Sequence, residues 1–564
     1  MPRFFVSGRL CRVSLAVLAA MGGGSARGES LKDALALAYA HNPTLVAQRY
    51  TQKSIDENYV QTRAQYGPTL NTSAIGQYTH ESVGGRSANA NAGQIQATIS
   101  QPLYTSGRLR GQLLSAQAQV LGGRENLRTV EQQLIQNVII VYAAVLRDQQ
   151  RVEVGQQNVT VLEEQLRENR ARYGRVGRGR GAGDVTLTDI GQSDSRLAAA
   201  EIQLASLQAT LAVSRGQYLQ VVGHNPGTLD PLPELAAVPR SADQAFASAE
   251  RNNPSLLAAR YTEQASSAAA AAVRGEQGPT VAVNVQGTYT NRLFPFSGQL
   301  GTKEVVAGLS VTQSLFASGA IRSRVRQADA QNDADQARVE AARRAAVEAV
   351  TEAWANLAST RVGLAAGQRQ VSSAQLAYAG MHREELEGLR STIETLNAEQ
   401  ELVGAQLALL QSRYEEYVAS ASLLAAVGDL RTESIVDNLD TYDPAAYFKK
   451  VRNKGATPLE PIARTIDRIG SANPRRPIAA DLRGADSPVP DATPVLPPPP
   501  SATDLYGALV PVTQSRLVPA SELPGGLPPA PDLPPAQPVP GRSSMTTPSG
   551  DGPAPAPGTS GAAR

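Results

Sequence analysis

The side chains that carry most enzyme chemistry are few and scattered in this chain. Its four histidines, His41, His80, His224 and His382, stand far apart, with no metal-ligand spacing around any of them. Each reads as a surface or loop residue. The only thiol is Cys11. No phosphate-binding glycine loop, no Gly-x-Ser-x-Gly elbow and no carboxylate pair beside a histidine occurs. Catalytic residues, cofactors and metals are therefore not expected, and any energy source must come from a partner. One cluster of charge does stand out. Arg170, Arg172 and the run RVGRGRGA at 175–182, which includes Arg178 and Arg180, form a basic, glycine-spaced segment. It could dock a partner or attract acidic cargo, or it could be a solvated loop extension. An RNA-binding reading fits poorly, because no aromatic platform accompanies the arginines and the chain carries a net charge of only +2.

The elements that place such residues come in two copies. Residues 30–50 read SLKDALALAYAHNPTLVAQRY, and residues 241–261 read SADQAFASAERNNPSLLAARY. Asn42-Pro43 maps to Asn253-Pro254 and Gly67-Pro68 to Gly278-Pro279, at an offset of 211. The register then slips by one, so Gln101, Leu103 and Gly107 match Gln313, Leu315 and Gly319. A period this long is a whole supersecondary assembly rather than a solenoid unit. Each copy predicts the same order: a helix (Leu31–Tyr66, Ala242–Gln277), two strands, a long helix (Gly107–Tyr173, Gly319–Leu386), a break, and a helix (Thr188–Val222, Thr392–Val427). In the long helix Leu113, Val120, Leu127, Leu134 and Val141 recur every seven residues, as coiled-coil packing requires. Such a helix would be roughly 100 Å long, at about 1.5 Å per residue. That suits the depth of a periplasm rather than a compact domain.

The strands alternate. Val281, Val283, Val285, Gly287 and Tyr289 face one way, with Ala282, Asn284, Gln286 and Thr288 opposite. Ile95, Ala97 and Ile99 repeat the pattern in the first copy, and Ala307, Leu309 and Val311 in the second. Glycine-, asparagine- and serine-rich loops are expected at Thr79–Ala92 and Asn291–Thr302. Apolar-out, polar-in strands of about 10 residues mark a transmembrane β-barrel. The alternative is a sheet half-buried on a soluble core. The barrel is favoured because the polar face has almost no charge and no other strands exist for these to join. Four strands are too few to close, since about eight is the minimum, so a barrel would require several copies.

Residues 1–28 read as a secretory signal. Arg3, Arg9 and Arg12 precede the short apolar run Val13–Met21, and small residues at Ser25–Gly28 offer cleavage near Ala26 or Gly28. Cys11 falls inside it, which leaves a mature chain with no cysteine. No other run of about 18 apolar residues predicts a transmembrane helix. Repeat 1 is assigned to 29–240, repeat 2 to 241–430 and a linker segment to 431–486. From 487 to 564 proline dominates, and a disordered tail is expected, serving as a spacer or as a polyproline ligand.

The carrying strings are LKDALALAYAHNPTL, SQPLYTSGR, GDVTLTDIGQSDSRLAAAEIQLA, GLRSTIETLNAEQELVGAQLALLQSRYEEYVASASLLAAVGDL and YDPAAYFKKVRNK. With their duplicated order the mature chain, from about Glu29 to Asn453, resembles the TolC family of outer-membrane channel proteins, in its alphaproteobacterial form. The resemblance implies an α+β, mostly α fold. It implies a homotrimer sharing a 12-stranded transmembrane β-barrel and an α-helical barrel across the periplasm of a Gram-negative bacterium. The implied partners are a periplasmic adaptor (membrane fusion) protein, an inner-membrane ABC or RND transporter and outer-membrane lipid. Val281, Val283, Val285, Tyr289, Ile95, Ile99, Leu309 and Val311 would then face lipid.

The resemblance also places the helix breaks at the periplasmic tip, the first at Gly183–Ile190 and the second at Gly388–Glu394. It implies a latch between Asp189 and Arg390 of neighbouring protomers, with Glu394 as a further aperture carboxylate. Gly183 and Gly388 would lie at the docking tip; Arg178 and Arg180 belong to an insert that departs from the family pattern, and their part in docking is one reading of its charge. Glu385 stands where the family has a tyrosine latch partner, and Asn397 where some members have an acid. Read from its own position alone, Asp189 is a helix N-terminal carboxylate satisfying the dipole. Two uses of the duct compete, type I protein secretion and small-molecule efflux, with the LNAEQEL and YDPAAY strings leaning toward the first. A periplasmic coiled-coil scaffold without a pore is the reading from another class.

Overall fold

The computed structural model describes residues 28–176, 185–235, 238–291, 301–435 and 441–469. The expected leader, most of the basic tip segment and the proline-rich tail lie outside them. The chain runs α1 (Leu31–His41), α2 (Pro43–Ala64), β1 (Thr69–Val83), β2 (Arg86–Tyr104), α3 (Arg108–Val176) and α4 (Leu187–Val222). The same six-element order returns as α5 (Ala242–Asn252), α6 (Pro254–Gly275), β3 (Thr280–Asn291), β4 (Thr302–Thr312), α7 (Ala320–Leu386) and α8 (Thr392–Val427). Three short helices follow: α9 (Thr432–Ile435), α10 (Pro444–Val451) and α11 (Glu460–Ile466).

The first helix of each repeat is split, against expectation. Asn42 and Asn253 adopt extended backbone, and the proline after each sits at the first helical position, where its missing N–H costs nothing. Each asparagine works at both ends of its amide. Asn42 Oδ1 accepts from Thr44 N at 3.0 Å, and its Nδ2 donates to Val221 O at 3.2 Å. Asn253 repeats this with Leu256 N and Ala426 O, both at 3.1 Å. The start of α2 is thereby tied to the end of α4, and the start of α6 to the end of α8. The two shorter helices of a repeat follow one another along its long helix. α3 has 69 residues and α7 has 67.

The long helix α3 buries most of the predicted heptad seam: Val120, Leu127, Leu134 and Val141 are buried, and Leu113 is half-buried. Windows of α3 and α4 are apolar enough to span a bilayer by composition, which the sequence reading did not anticipate. They lie within helices of 69 and 36 residues, and more than half of the α3 window is covered by neighbouring helices.

The four strands form one antiparallel sheet in the order β1-β2-β3-β4. The expected loop at Thr79–Ala92 is strand instead. Ser82 pairs with Ser87 and Val83 with Arg86, around a two-residue turn at Gly84-Gly85. Both glycines have positive φ (59° and 79°), as a primed hairpin turn demands. Pairing with β1 overrides the low strand propensity of the asparagines and serines there. Of the expected loop Asn291–Thr302, residues 292–300 lie outside the described part.

The segment after α8 clamps repeat 1. Arg63 forms a two-pronged ion pair with Glu460 of α11. Asp467 is 1% exposed and accepts from Thr105 N (2.6 Å), Thr105 Oγ1 (2.9 Å), Gly107 N (3.1 Å) and Tyr66 OH (3.1 Å). From α10, Phe448 packs edge-on against Tyr59 and under the Arg124 guanidinium.

Asn42→Ala removes a cap and an inter-helix bond together, and should cost about 1–3 kcal/mol. Asn42→Asp keeps the acceptor and should cost clearly less. Thermal melts followed by circular dichroism, with both variants side by side, check the order.

Candidate functional site: a two-faced sheet and two hairpin tips

Register fixes the faces of the sheet. Ile95 pairs with Tyr289, Ile99 with Val285, Val283 with Leu309 and Val281 with Val311. All eight residues expected to meet lipid therefore share one face, with Leu70 and Ala74 of β1 beside them. That face is open: Leu309 and Val311 are about two-thirds exposed, and Ile95 and Ile99 are exposed too. The opposite face carries Asn71, Ser73, Thr98, Gln96, Gln286 and Thr288 across three strands. Ile75 and Val306 are apolar exceptions on it. An apolar face this exposed in β1, β2 and β4 demands a nonaqueous contact.

At the far end of the helices lie the two tips. The first connects α3 to α4. Thr186 caps α4, and Asp189 closes a capping box. Asp189 Oδ2 accepts from Thr186 N at 2.7 Å and from its hydroxyl at 2.8 Å, while Asp189 N donates to Thr186 Oγ1 at 3.2 Å. Within one chain, then, Asp189 is a capping carboxylate. Behind it, Asn169 donates to Ser193 at 3.0 Å and Arg170 pairs with Asp194 at 3.1 Å. Gly183, Arg178 and Arg180 lie outside the described residues.

The second tip connects α7 to α8. Gly388 has φ 75°, and the turn closes through Gly388 N to Glu385 O (2.9 Å) and Leu389 N to Glu384 O (2.8 Å). Glu394 reaches back to Ser391 N (3.1 Å) and its hydroxyl (2.9 Å). Arg390 does not meet Asp189 of its own chain. It pairs with Glu384 at 2.8 Å and Glu394 at 3.1 Å. Glu384 raises the Arg390 pKa most, followed by Glu394, and the Ser391 N–H and hydroxyl hold Glu394 below the usual carboxylate range. Sequence reasoning missed Glu384, because the partner lies six residues back across a turn. All three side chains are exposed, so partner exchange costs little. Glu385 stands 3.9 Å from His382. Asn397 and Gln400 both accept from Arg196, which links α8 to α4. No group of three or more His, Cys, Asp or Glu poised for a metal occurs among the described residues.

Asp189→Ala should raise hydrogen exchange in the first turn of α4 about fivefold to tenfold, as loss of about 1 kcal/mol of capping implies. Asp189→Gln preserves the box without the charge and should leave exchange close to wild type.

A family profile described as outer membrane efflux protein matches residues 34–224 and 246–429. The outer membrane efflux protein BepC of Brucella suis is 29% identical over 435 residues, covering 77% of this chain and 92% of its own. The proteases secretion protein PrtF of Dickeya chrysanthemi is 24% identical, covering 79% and 98%. Among solved structures, the Campylobacter jejuni CmeC outer membrane channel superposes with a TM-score of 0.63 at 13% identity, covering 76% of this chain and 90% of that one. With the profile spanning most of both repeats, the chain belongs to the outer membrane efflux protein family.

Proposed function

We propose that three copies of this chain close into an outer-membrane exit duct for type I protein secretion. As a member of its family the chain is an outer-membrane export component. The observation that carries the ring is an unused contact. Within one chain the two repeats join where β2 pairs with β3 and α3 packs on α6. At that joint Ser106, at φ 53°, donates to Pro279 O at 2.7 Å. Gly111 lies so close to Ala272 that a Cβ would fall 2.7 Å from the alanine Cβ.

The repeat offset supplies counterparts on the free flanks. Ser318, at φ 46°, corresponds to Ser106, and Pro68 to Pro279. On α7, Ser323, Gln327, Ala330 and Ala334 correspond to Gly111, Ser115, Ala118 and Gly122, and all four are exposed. On α2, Gln61 and Ala64 correspond to Ala272 and Gly275 and are exposed as well. Leu315 and Phe316, just past β4, are almost bare. The free edges of β1 and β4 would pair between copies as β2 pairs with β3 within one. Three chains then give a 12-stranded barrel, with its apolar face toward lipid and its polar face toward the lumen.

The hairpin tips, at the periplasmic end, would meet a periplasmic adaptor and an inner-membrane ABC transporter. In the closed ring, Arg390 would exchange Glu384 or Glu394 for Asp189 of a neighbour. Efflux with an RND pump is the second reading. It is favoured by the 29% identity to a protein named for efflux, and secretion by the relative named for protease secretion. Deleting the gene separates them. Loss of an exported protein from the medium supports secretion, and hypersensitivity to small amphiphiles with intact secretion supports efflux.

In a Cys11→Ser background, Gln61→Cys combined with Ser323→Cys should form disulfides between copies. The nonreduced ladder should end at three, and either cysteine alone should give no cross-link. Asp189→Gln with Arg390→Gln should raise single-channel conductance in planar bilayers, whereas unchanged conductance would rule out the latch.

A further inference from the structure

One carboxyl near the second tip is left unused by the duct, its cap or its latch. Glu399 lies two turns into α8 and is 2% exposed. Tyr378 and Glu385 face it from α7, and Gln165 faces it from α3. His382 stacks on Tyr378 at 5.9 Å and sits 3.9 Å from Glu385. Arg196 of α4 lines the same cleft, but its guanidinium is committed to Asn397 and Gln400. Glu399 therefore sits where α8 packs against α3 and α7, among apolar neighbours that include Leu162, Leu396 and Leu402.

The buried polar atoms here are not all paired. Glu399 Oε2 is buried without a well-aligned hydrogen-bond partner, and so are both polar atoms of the Gln165 amide. An ionised carboxylate in this position would carry an unpaired buried charge, which is costly. A proton on the carboxyl removes that charge and makes it a donor as well as an acceptor, so the Gln165 amide facing it can be met at either end. Burial pushes the Glu399 carboxyl up to about 8; Gln165 pulls it down somewhat, and the Glu385 charge adds to the rise.

We propose that the α7–α8 hairpin is a proton-controlled element. Glu399 is protonated while the hairpin packs on α3, and its ionisation favours release of that packing and opening of the tip. The opening rests on the duct reading; the packing change does not. The direction follows from the two states. Packed, the carboxyl titrates well above its ordinary value; released into water, it titrates near 4.3. Packing is thus fully favoured below roughly pH 4. It weakens by up to about tenfold per pH unit as pH rises toward 8, with no further change above that.

The test is hydrogen exchange of the full-length, detergent-extracted protein between pH 5.5 and 8.5, corrected for the intrinsic rate at each pH. Peptides from the end of α7, the first three turns of α8 and the Gln165 region of α3 are read. Wild type should lose protection in these peptides by at least tenfold across the range. Glu399→Gln, which mimics the protonated side chain, should stay protected throughout, and His382→Gln should keep the wild-type dependence. A flat wild-type profile, or a profile that Glu399→Gln leaves unchanged while His382→Gln abolishes it, overturns the switch. Bilayer conductance over the same pH range then tests the consequence. An exchange switch with no channel openings at any pH upholds the proton control of packing and overturns the duct.

Discussion

Hydrocarbon offers no water to a backbone, so every N–H and C=O within a membrane must be paired by protein. That constraint governs this chain more than any side-chain contact. Its four-stranded sheet has two edges, β1 and β4, that pair with no other strand among the described residues, and an exposed apolar face. In water such a sheet would aggregate through both. A closed barrel removes the edges and gives the face to lipid, but four strands are too few to curl shut. The proposed ring would solve this by repeating one joint, once inside the chain and once between copies, so that duplication and oligomerisation would be the same device applied twice.

The helices inherit their arrangement from that joint. Because α3 must pass within van der Waals distance of α6 where the strands emerge, Gly111, Ala272 and Gly275 are small there. Farther along, where no glycine forces register, buried polar pairs fix it. Arg361 of α7 meets Glu416 of α8 at 3.3 Å with both side chains nearly sealed from solvent. Asn332 of α7 donates to Glu263 of α6 at 3.3 Å. Such pairs add little net stability after their desolvation. They do make a one-turn slip of a roughly 100 Å helix expensive, which an apolar heptad seam alone would permit.

Periodic features were legible in the sequence, and contacts between distant residues were not. The sevenfold spacing from Leu113 to Val141 located α3, and alternation from Val281 to Tyr289 assigned the faces of β3, because both depend on local geometry. Local chemistry was also available but read too coarsely. Asn-Pro marks a helix start, so the break at Asn42 could have been seen, and Gly84-Gly85 is a hairpin turn inside what was read as loop. By contrast, Asp467 reaches Thr105 across 362 residues. No pattern announces that contact, nor the pairing of Arg390 with Glu384, nor the burial of Glu399. In a TLNAEQEL run Glu399 looks like one more solvated helical acid; only the packing of α3 and α7 against it makes it different.

The two repeats are alike enough to supply the repeated joint of the proposed ring and unlike enough to divide its work. The C-terminal segment locks the β2–α3 junction of repeat 1 through Asp467 and the end of α2 through Glu460, whereas Leu315 and Phe316 at the matching junction of repeat 2 are left bare. At the other end the asymmetry reverses in kind. The α3–α4 hairpin has an exposed ion pair too, Arg170–Asp194, but it is also stitched near its tip by a buried, satisfied bond from Asn169 to Ser193. The α7–α8 hairpin is held at the same level by exposed arginine–carboxylate pairs and an unsatisfied buried carboxyl. Exposed ion pairs exchange partners at little cost, and a buried acid changes its preference with its proton, whereas a buried amide–hydroxyl bond does neither. Motion at the tip should therefore concentrate in repeat 2, with repeat 1 as the fixed wall against which it moves.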